Sequence, residues 1–278
     1  MNHSITGYNE KRRNRLFEMS VYDETELLHE LSNIVSGAPL NLVYLKECES
    51  TNIECMKQAV HNTIVIADSQ SAGRGRRGKK WHSPVAQNIY CSIGLNKTIK
   101  AEYLGLISLQ VAVCIVNVLR QKGYTEAGLK WPNDILCQGK KLGGILIETK
   151  VLATDSFYLV IGFGLNVNLD DSDLQQIDQP AIGLNNMSDR IADRQELISA
   201  ICSQILQDVM VFDLHLIDSL VNSFNQLDQL HGKQVLVKTV DEEISGIHLG
   251  ILPTGHIQVQ TSRGVESFAA AEISLRGL

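Results

Sequence analysis

The chain has 278 residues, 44% of them hydrophobic and 20% charged, with 25 basic side chains against 31 acidic and a formal net charge of −6. That length holds one large or two modest domains, and the acidic balance excludes a surface that is basic throughout, as nucleic-acid binders usually have. Cysteines at 48, 55, 91, 114, 137 and 202 form no CxxC pair, no cluster has zinc-ligand spacing, and no 18-residue apolar run exists, so a disulfide framework, a zinc module, other resident metal ligands and a membrane span are not expected.

Residues 1 to about 22 are polar and basic, with Lys11, Arg12, Arg13 and Arg15 but no apolar run to make a secretory signal. A mobile tail and a cytoplasmic chain of reduced thiols are expected. Glu24 to Ile34 reads as a short helix stopped at Gly37-Ala38-Pro39. Leu40 to Leu45 follows as a strand, Ser50-Thr51-Asn52 offers a helix N-cap, and Thr63 to Ala67 is a buried strand running into a basic loop. Asn88 to Leu95 leaves that loop as a strand. Leu104, Ile107, Val111, Ile115 and Val118 recur at helical spacing, which predicts a buried helix over about 103–121.

Three more strands are predicted at Ile135–Cys137, Gly143–Glu148 and Phe157–Gly162, all in one α/β sheet. Asp170, Asp171, Asp173 and Asp178 mark an exposed acidic connection, and Gln195 to about Phe224 is helical. Beyond Gln234 the pattern changes to short strands at Val235–Val237, Ile247–Leu252, Ile257–Val259 and Ile273–Leu275, split by Pro253-Thr254-Gly255 and Ser262-Arg263-Gly264. A small β-barrel is expected there, giving an N-terminal extension (1–40), a main domain (41–230) and a C-terminal domain (231–278).

Two segments carry chemistry. GRGRRGKKW, Gly73 to Trp81, sets five cations on a glycine-rich loop that ends in an indole. Glycines let backbone N–H groups approach oxygens, arginine forks clamp carboxylate or phosphate, and the indole offers a flat face to a base. The run also satisfies GxGxxG, but the dinucleotide fingerprint needs a helix to begin inside it, and Trp81-His82-Ser83-Pro84 does not begin one. It fits GxxxxGK too, yet Lys80 stands where a phosphate-binding loop needs Ser or Thr. A solvated basic loop is the bland alternative. The second segment, Lys130 to Glu148, places Asn133 and Asp134 in turn chemistry at a strand end, with Lys141 beyond a hairpin turn at Gly139 and Gly143-Gly144 allowing close backbone approach.

These motifs, with Ser50-Thr51-Asn52, Gly162-Phe163-Gly164-Leu165-Asn166 and Glu272-Ile273-Ser274-Leu275-Arg276, together resemble the bacterial biotin protein ligases from about residue 40 onward. The resemblance implies a class II synthetase and biotin/lipoate ligase type catalytic domain of α/β (α+β) class with a mixed sheet, followed by an SH3-like barrel. It implies that biotin is joined to AMP from MgATP, with ATP and Mg2+ as cofactors, and is then transferred to a lysine of the biotin carboxyl carrier protein of acetyl-CoA carboxylase. By resemblance, Ser50, Thr51, Asn52 and Gln70 bind the biotin head group, and Arg74, Gly75 and Arg76 enclose biotin and the adenylate. Lys141 touches the activated carboxyl, while Trp81 covers or flanks the adenine. Asn133 and Asn166 contact adenylate or phosphate, Arg77, Lys79 and Arg276 face the triphosphate, and Asp134 orients the carrier lysine or holds magnesium. Ser50 as a mere cap, Trp81 as a core residue and Arg276 as a solvated charge are the structural alternatives.

Lys79 departs from the family's usual arginine, exchanging a fork for a point charge. Members that also repress genes carry a winged helix ahead of the catalytic domain. Residues 1–40 hold only one convincing helix, so a ligase without DNA binding is expected, as monomer or homodimer. The loop should be mobile when empty, because its cations repel one another. A lipoate or octanoate ligase and a nucleic-acid-binding protein remain the alternatives.

Overall fold

A computed structural model describes residues 22–32, 39–187, 191–239 and 241–270, and the backbone of 274–277. In chain order these form α1 (Glu24–Ser32), β1 (Asn41–Leu45), α2 (Thr51–Gln58), β2 (Thr63–Ala67), β3 (Ile89–Thr98), α3 (Leu104–Gln121), β4 (Gly128–Lys130), β5 (Asp134–Cys137), β6 (Lys140–Ala153) and β7 (Ser156–Leu165). There follow α4 (Asp171–Gln176), α5 (Arg194–Val211), α6 (Ile217–Leu227), β8 (Gln234–Lys238), β9 (Glu243–Ile251), β10 (Ile257–Thr261), β11 (Gly264–Phe268) and β12 (Ser274–Gly277). The expected tail before Tyr22 and the expected stop of α1 at 37–38 lie outside the described residues.

The first sheet has the order β1-β2-β3-β7-β6-β5-β4. Only the β1–β2 pair is parallel, so the sheet is mixed. Side chains alternate across a strand, and the central strands are apolar on both faces. Ile64 and Ile66 of β2 and Phe157, Leu159, Ile161 and Phe163 of β7 join the large core under α3, α5 and α6. Val65, Tyr158 and Val160 point the other way, against Cys55 of α2. The predicted helix over 103–121 is long and apolar enough to cross a membrane, but as α3 it is wrapped by the sheet and by α5 and α6. It is a core element of a soluble-type fold. All six cysteines are free.

The acidic connection is corrected. Asp170 caps α4, accepting from the backbone N–H groups of Ser172 and Asp173, and the Asp173 side chain reaches back to the Asp170 N–H. The Asp-x-x-Asp spacing is a capping box, and Asp173 is buried.

The second sheet is antiparallel, in the order β11-β10-β9-β8-β12. β11 was not expected. Its residues are half-exposed or exposed along one edge, so no buried face imposes a period on the sequence. This sheet docks on the first domain at named points. Trp131 Nε1 donates to the Gly255 carbonyl at 2.9 Å, and the Gln229 N–H donates to the Leu129 carbonyl, covering the β4 edge. Beneath them, the enclosed side chains of Asp228 and His248 meet at 2.6 Å. Asp228→Ala is expected to cost about 3 kcal/mol of stability, because His248 is left buried without its partner. Denaturant unfolding measures this, and an unchanged midpoint and slope would show that the pair does not join the two sheets.

Candidate active site

The α2 side of the sheet should be filled with side chains, but at three paired positions it carries glycine. Gly144 of β6 lies opposite Gly164 of β7, and Gly162 lies between Ser92 and Leu146. A Cβ on Gly162 would stand 2.0 Å from Asn52 Oδ1, and one on Gly164 would stand 2.5 Å from the Trp81 ring. The missing side chains make a floor on which Asn52 and Trp81 rest, and above it opens a cleft of about 1120 Å³. Ser50, Thr51, Asn52, Gln70, Arg74, Gly75, Arg76, Arg77, Lys79, Trp81, Asn133, Asp134 and Lys141 all line it.

One end is polar and uncharged. Ser50 occupies the N-cap position of α2 with its carbonyl accepting from the Glu54 N–H, but its hydroxyl makes no cap hydrogen bond. Ser50 is therefore a cap by backbone position alone. The Thr51 N–H donates to Gln70 Oε1 at 2.9 Å, and Gln70 Nε2 donates to Ser83 Oγ, which donates to the Trp81 carbonyl. Ser92 Oγ lies 2.8 Å from Thr51 Oγ1 and 2.6 Å from Asn52 Oδ1. Asn52 Nδ2 donates to Glu148 at 2.8 Å. The result is a rigid set of neutral donors and acceptors suited to a small polar ring.

The other end is cationic. The loop is pinched into a small hairpin by the Arg74–Lys80 bridge and by the Gly75 N–H donating to the Lys79 carbonyl. Arg77 and Gly78 take left-handed backbone at its tip. Arg76 turns inward, donating to Asn133 Oδ1 at 3.3 Å and to the Ala270 carbonyl at 3.0 Å, so the C-terminal sheet's connection reaches the loop. Burial, then the adjacent Arg77, pulls its pKa below the usual guanidinium value, and Asp134 opposes this. A half-dry cation held this way favours an anion beside it.

Between the two ends stands Lys141. Gln138 and Gly139 both have positive φ, which closes the β5–β6 hairpin in two residues, and a bulge after Ile135 re-aims the strand. Lys141 Nζ lies 2.6 Å from Asp134 Oδ1 and 5.4 Å from the centre of the Trp81 ring. Asn133 is fixed by donating to the Ile145 carbonyl at 2.7 Å. Trp81 Nε1 is buried without a partner. Trp81 is thus more than a core residue, since its ring forms a wall of the cleft.

A second hollow of about 400 Å³ adjoins Trp81 and Lys141, lined also by His82, Asn166, Gln176, Asp178 and Gln179. Asn166 Nδ2 reaches the Lys141 carbonyl at 3.3 Å. His82 Nε2 lies 2.8 Å from Asp173 Oδ1, tying the exit of the basic loop to α4. Sequence reading missed Ser83, Ser92, Glu148, Lys233 and the α4 residues; no short motif marks them, though Glu148 closes the KKLGGILIE run. Arg276 lies in β12, paired with Leu236, and its side chain is outside the described residues. Among the described residues no group of three or more His, Cys, Asp or Glu side chains is placed to hold a metal ion.

The Biotin/lipoate A/B protein ligase family matches residues 48–166. The bifunctional ligase/repressor BirA of Escherichia coli is 32% identical over 76% of this chain, which spans 65% of that protein's length. BirA of Salmonella typhimurium is 30% identical over 85% of this chain and 74% of its own. The solved biotin protein ligase of Aquifex aeolicus, in complex with biotin and ATP, superposes with a TM-score of 0.73 at 28% identity, covering 86% of this chain and 99% of that one. A glycine-floored cleft, neutral at one end and cationic at the other, and relatives matched through the sheet that builds it, make this chain a member of the biotin protein ligase family.

Proposed function

We propose that this chain activates biotin as biotinyl-5'-AMP, releasing pyrophosphate from ATP, and passes the acyl group to a lysine of the biotin carboxyl carrier protein of acetyl-CoA carboxylase. The observation that carries this reading is the placing of Lys141 between the uncharged pocket and the cationic loop. A carboxylate lying along the floor from Ser50, Thr51, Asn52 and Gln70 brings its oxygen toward Lys141, while a nucleotide under the loop brings its α-phosphate to the same point. Opposed anions meet only where fixed cations neutralise them, and holding both in register supplies much of the rate.

In this reading Arg74, Gly75 and Arg76 close over biotin and the adenylate, and Arg77, Lys79 and Arg276 face the outgoing pyrophosphate. Trp81 flanks the adenine, Asn133 and Asn166 orient the phosphate and Lys141, and Asp134 holds Lys141 before the carrier lysine arrives. Magnesium enters bound to ATP as part of the substrate, with Asp134 an acidic side chain of the cleft that could meet it. Residues 41–230 form the catalytic domain and 231–278 an SH3-like domain that closes one wall. The reading places the chain in the cytoplasm with ATP and its carrier.

Gly162→Ala should displace Asn52 and raise the KM for biotin at least about tenfold while leaving that for ATP near wild type, as loss of a buried hydrogen-bonding group does. Equal biotin KM values would contradict the head-group assignment. Mixing the protein with MgATP, equal amounts of biotin and lipoate, and an isolated carrier domain should add one biotinyl group to the carrier's acceptor lysine by mass spectrometry. Addition of a lipoyl group instead would assign the lipoate reading, and addition of neither would reject the proposal.

A further inference from the structure

We propose that Glu148 is a positioning residue that fixes the head-group pocket and latches the cationic loop at once, through Asn52 on one side and Arg74 on the other; this rests on the reading of the cleft as the biotin and ATP site. Glu148 lies on β6 on the same face as Gly144, outside the residues that line the cleft. Its Oε2 accepts from Asn52 Nδ2 at 2.8 Å and from Arg74 Nη2 at 3.3 Å, and its Oε1 is 3.3 Å from the same Nη2. One carboxylate therefore joins the start of α2 to the neck of the basic loop.

The carboxylate decides how Asn52 faces. Asn52 Nδ2 sees two acceptors, Glu148 and the Leu146 carbonyl, while Oδ1 sees the Ser92 hydroxyl. A neutral glutamine at 148 could offer a donor instead and allow the amide to turn over. On the loop side, Arg74 is the residue whose backbone pairs with Lys80 to close the hairpin, so restraining its guanidinium restrains the five cations that follow one another from 74 to 80. Its charge is matched inside the protein, which leaves Arg76, Arg77 and Lys79 to meet phosphate. Glu148 thereby joins the site, and Arg74 anchors the loop that closes over biotin and the adenylate.

The two arms differ in strength. The Arg74–Glu148 pair is 44% and 30% exposed by side chain, so releasing it changes an equilibrium by at most about fivefold. The bond from Asn52 is part-buried and charge-assisted, and its loss is worth about tenfold or more.

The test compares wild type, Glu148→Gln, Arg74→Gln and the double variant. Trypsin cleavage of the ligand-free protein after Arg77 is followed by mass spectrometry, together with the biotin KM and kcat for adenylation. Each single variant should be cut about fivefold faster, and the double no faster than either, because both remove the same latch. Glu148→Gln should raise the biotin KM about tenfold at little-changed kcat, with a smaller rise for Arg74→Gln. Cleavage unchanged in both singles, or effects that multiply to about 25-fold in the double, would overturn the latch. Absence of biotin-dependent adenylation in the wild type would strike the functional reading instead, and the cleavage rates would still decide the latch.

Discussion

Lys141→Ala is expected to lower biotin adenylation by about 10²–10³-fold with the fold intact, the usual loss when one preorganised group aimed at developing charge is removed. The structural cost should be small. Lys141 is placed by its backbone, which donates to the Pro180 carbonyl and accepts from the Ile182 N–H, and these bonds survive the substitution. Its side chain and that of Asp134 are 16% and 17% exposed, so the lost pair costs about 1–2 kcal/mol, a small part of the stability of a folded domain. Pyrophosphate exchange should therefore collapse while the thermal unfolding midpoint shifts little. Exchange at the wild-type rate would remove Lys141 from the reaction. Loss of exchange together with loss of folded structure would make its role structural.

Arg76→Gly should release the adenylate early. In the ligand-free protein Arg76 bridges Asn133 of the first domain and Ala270 at the edge of the C-terminal sheet, so its guanidinium ties the loop to both walls of the cleft. Two hydrogen bonds to a charged group, lost together, correspond to about a hundredfold faster dissociation of biotinyl-AMP. The freed anhydride would acylate exposed lysines on any protein nearby, a readout that a binding assay alone does not give. A variant that retains the intermediate like wild type, and labels only the carrier, would contradict the clamp.

What could be read from the sequence follows from how local each signal is. The cations of Gly73–Trp81, the turn at Trp131–Asp134 and the glycine pair beside Lys141 lie within short segments whose chemistry is visible residue by residue, and the cations, the turn and Gly144 of the pair line the cleft, whereas Gly143 faces the other side of the sheet. Glu148 and Ser92 act across strands. Ser92 becomes a site residue only because β3 pairs with β7 and brings it over Gly162 beside Asn52, and that pairing is a property of the sheet, not of the segment. Two of the four aspartates after Asn168 misled for a related reason, while Asp171 and Asp178 are exposed as expected. Charge suggested solvent, whereas Asp170 and Asp173 cap a helix and Asp173 is buried against His82. β11 escaped because Gly264–Phe268 has no buried residue and no apolar alternation to mark it as a strand. Arg276 was found by resemblance, and its side chain stays outside the described residues.

Formation of an adenylate from biotin in this cleft is measured most directly by exchange of labelled pyrophosphate into ATP by the purified protein with magnesium, in the presence of biotin, of lipoate, or of no acid. Exchange with biotin alone is expected. Exchange with lipoate and not with biotin, or no exchange with either by a folded sample, would contradict it.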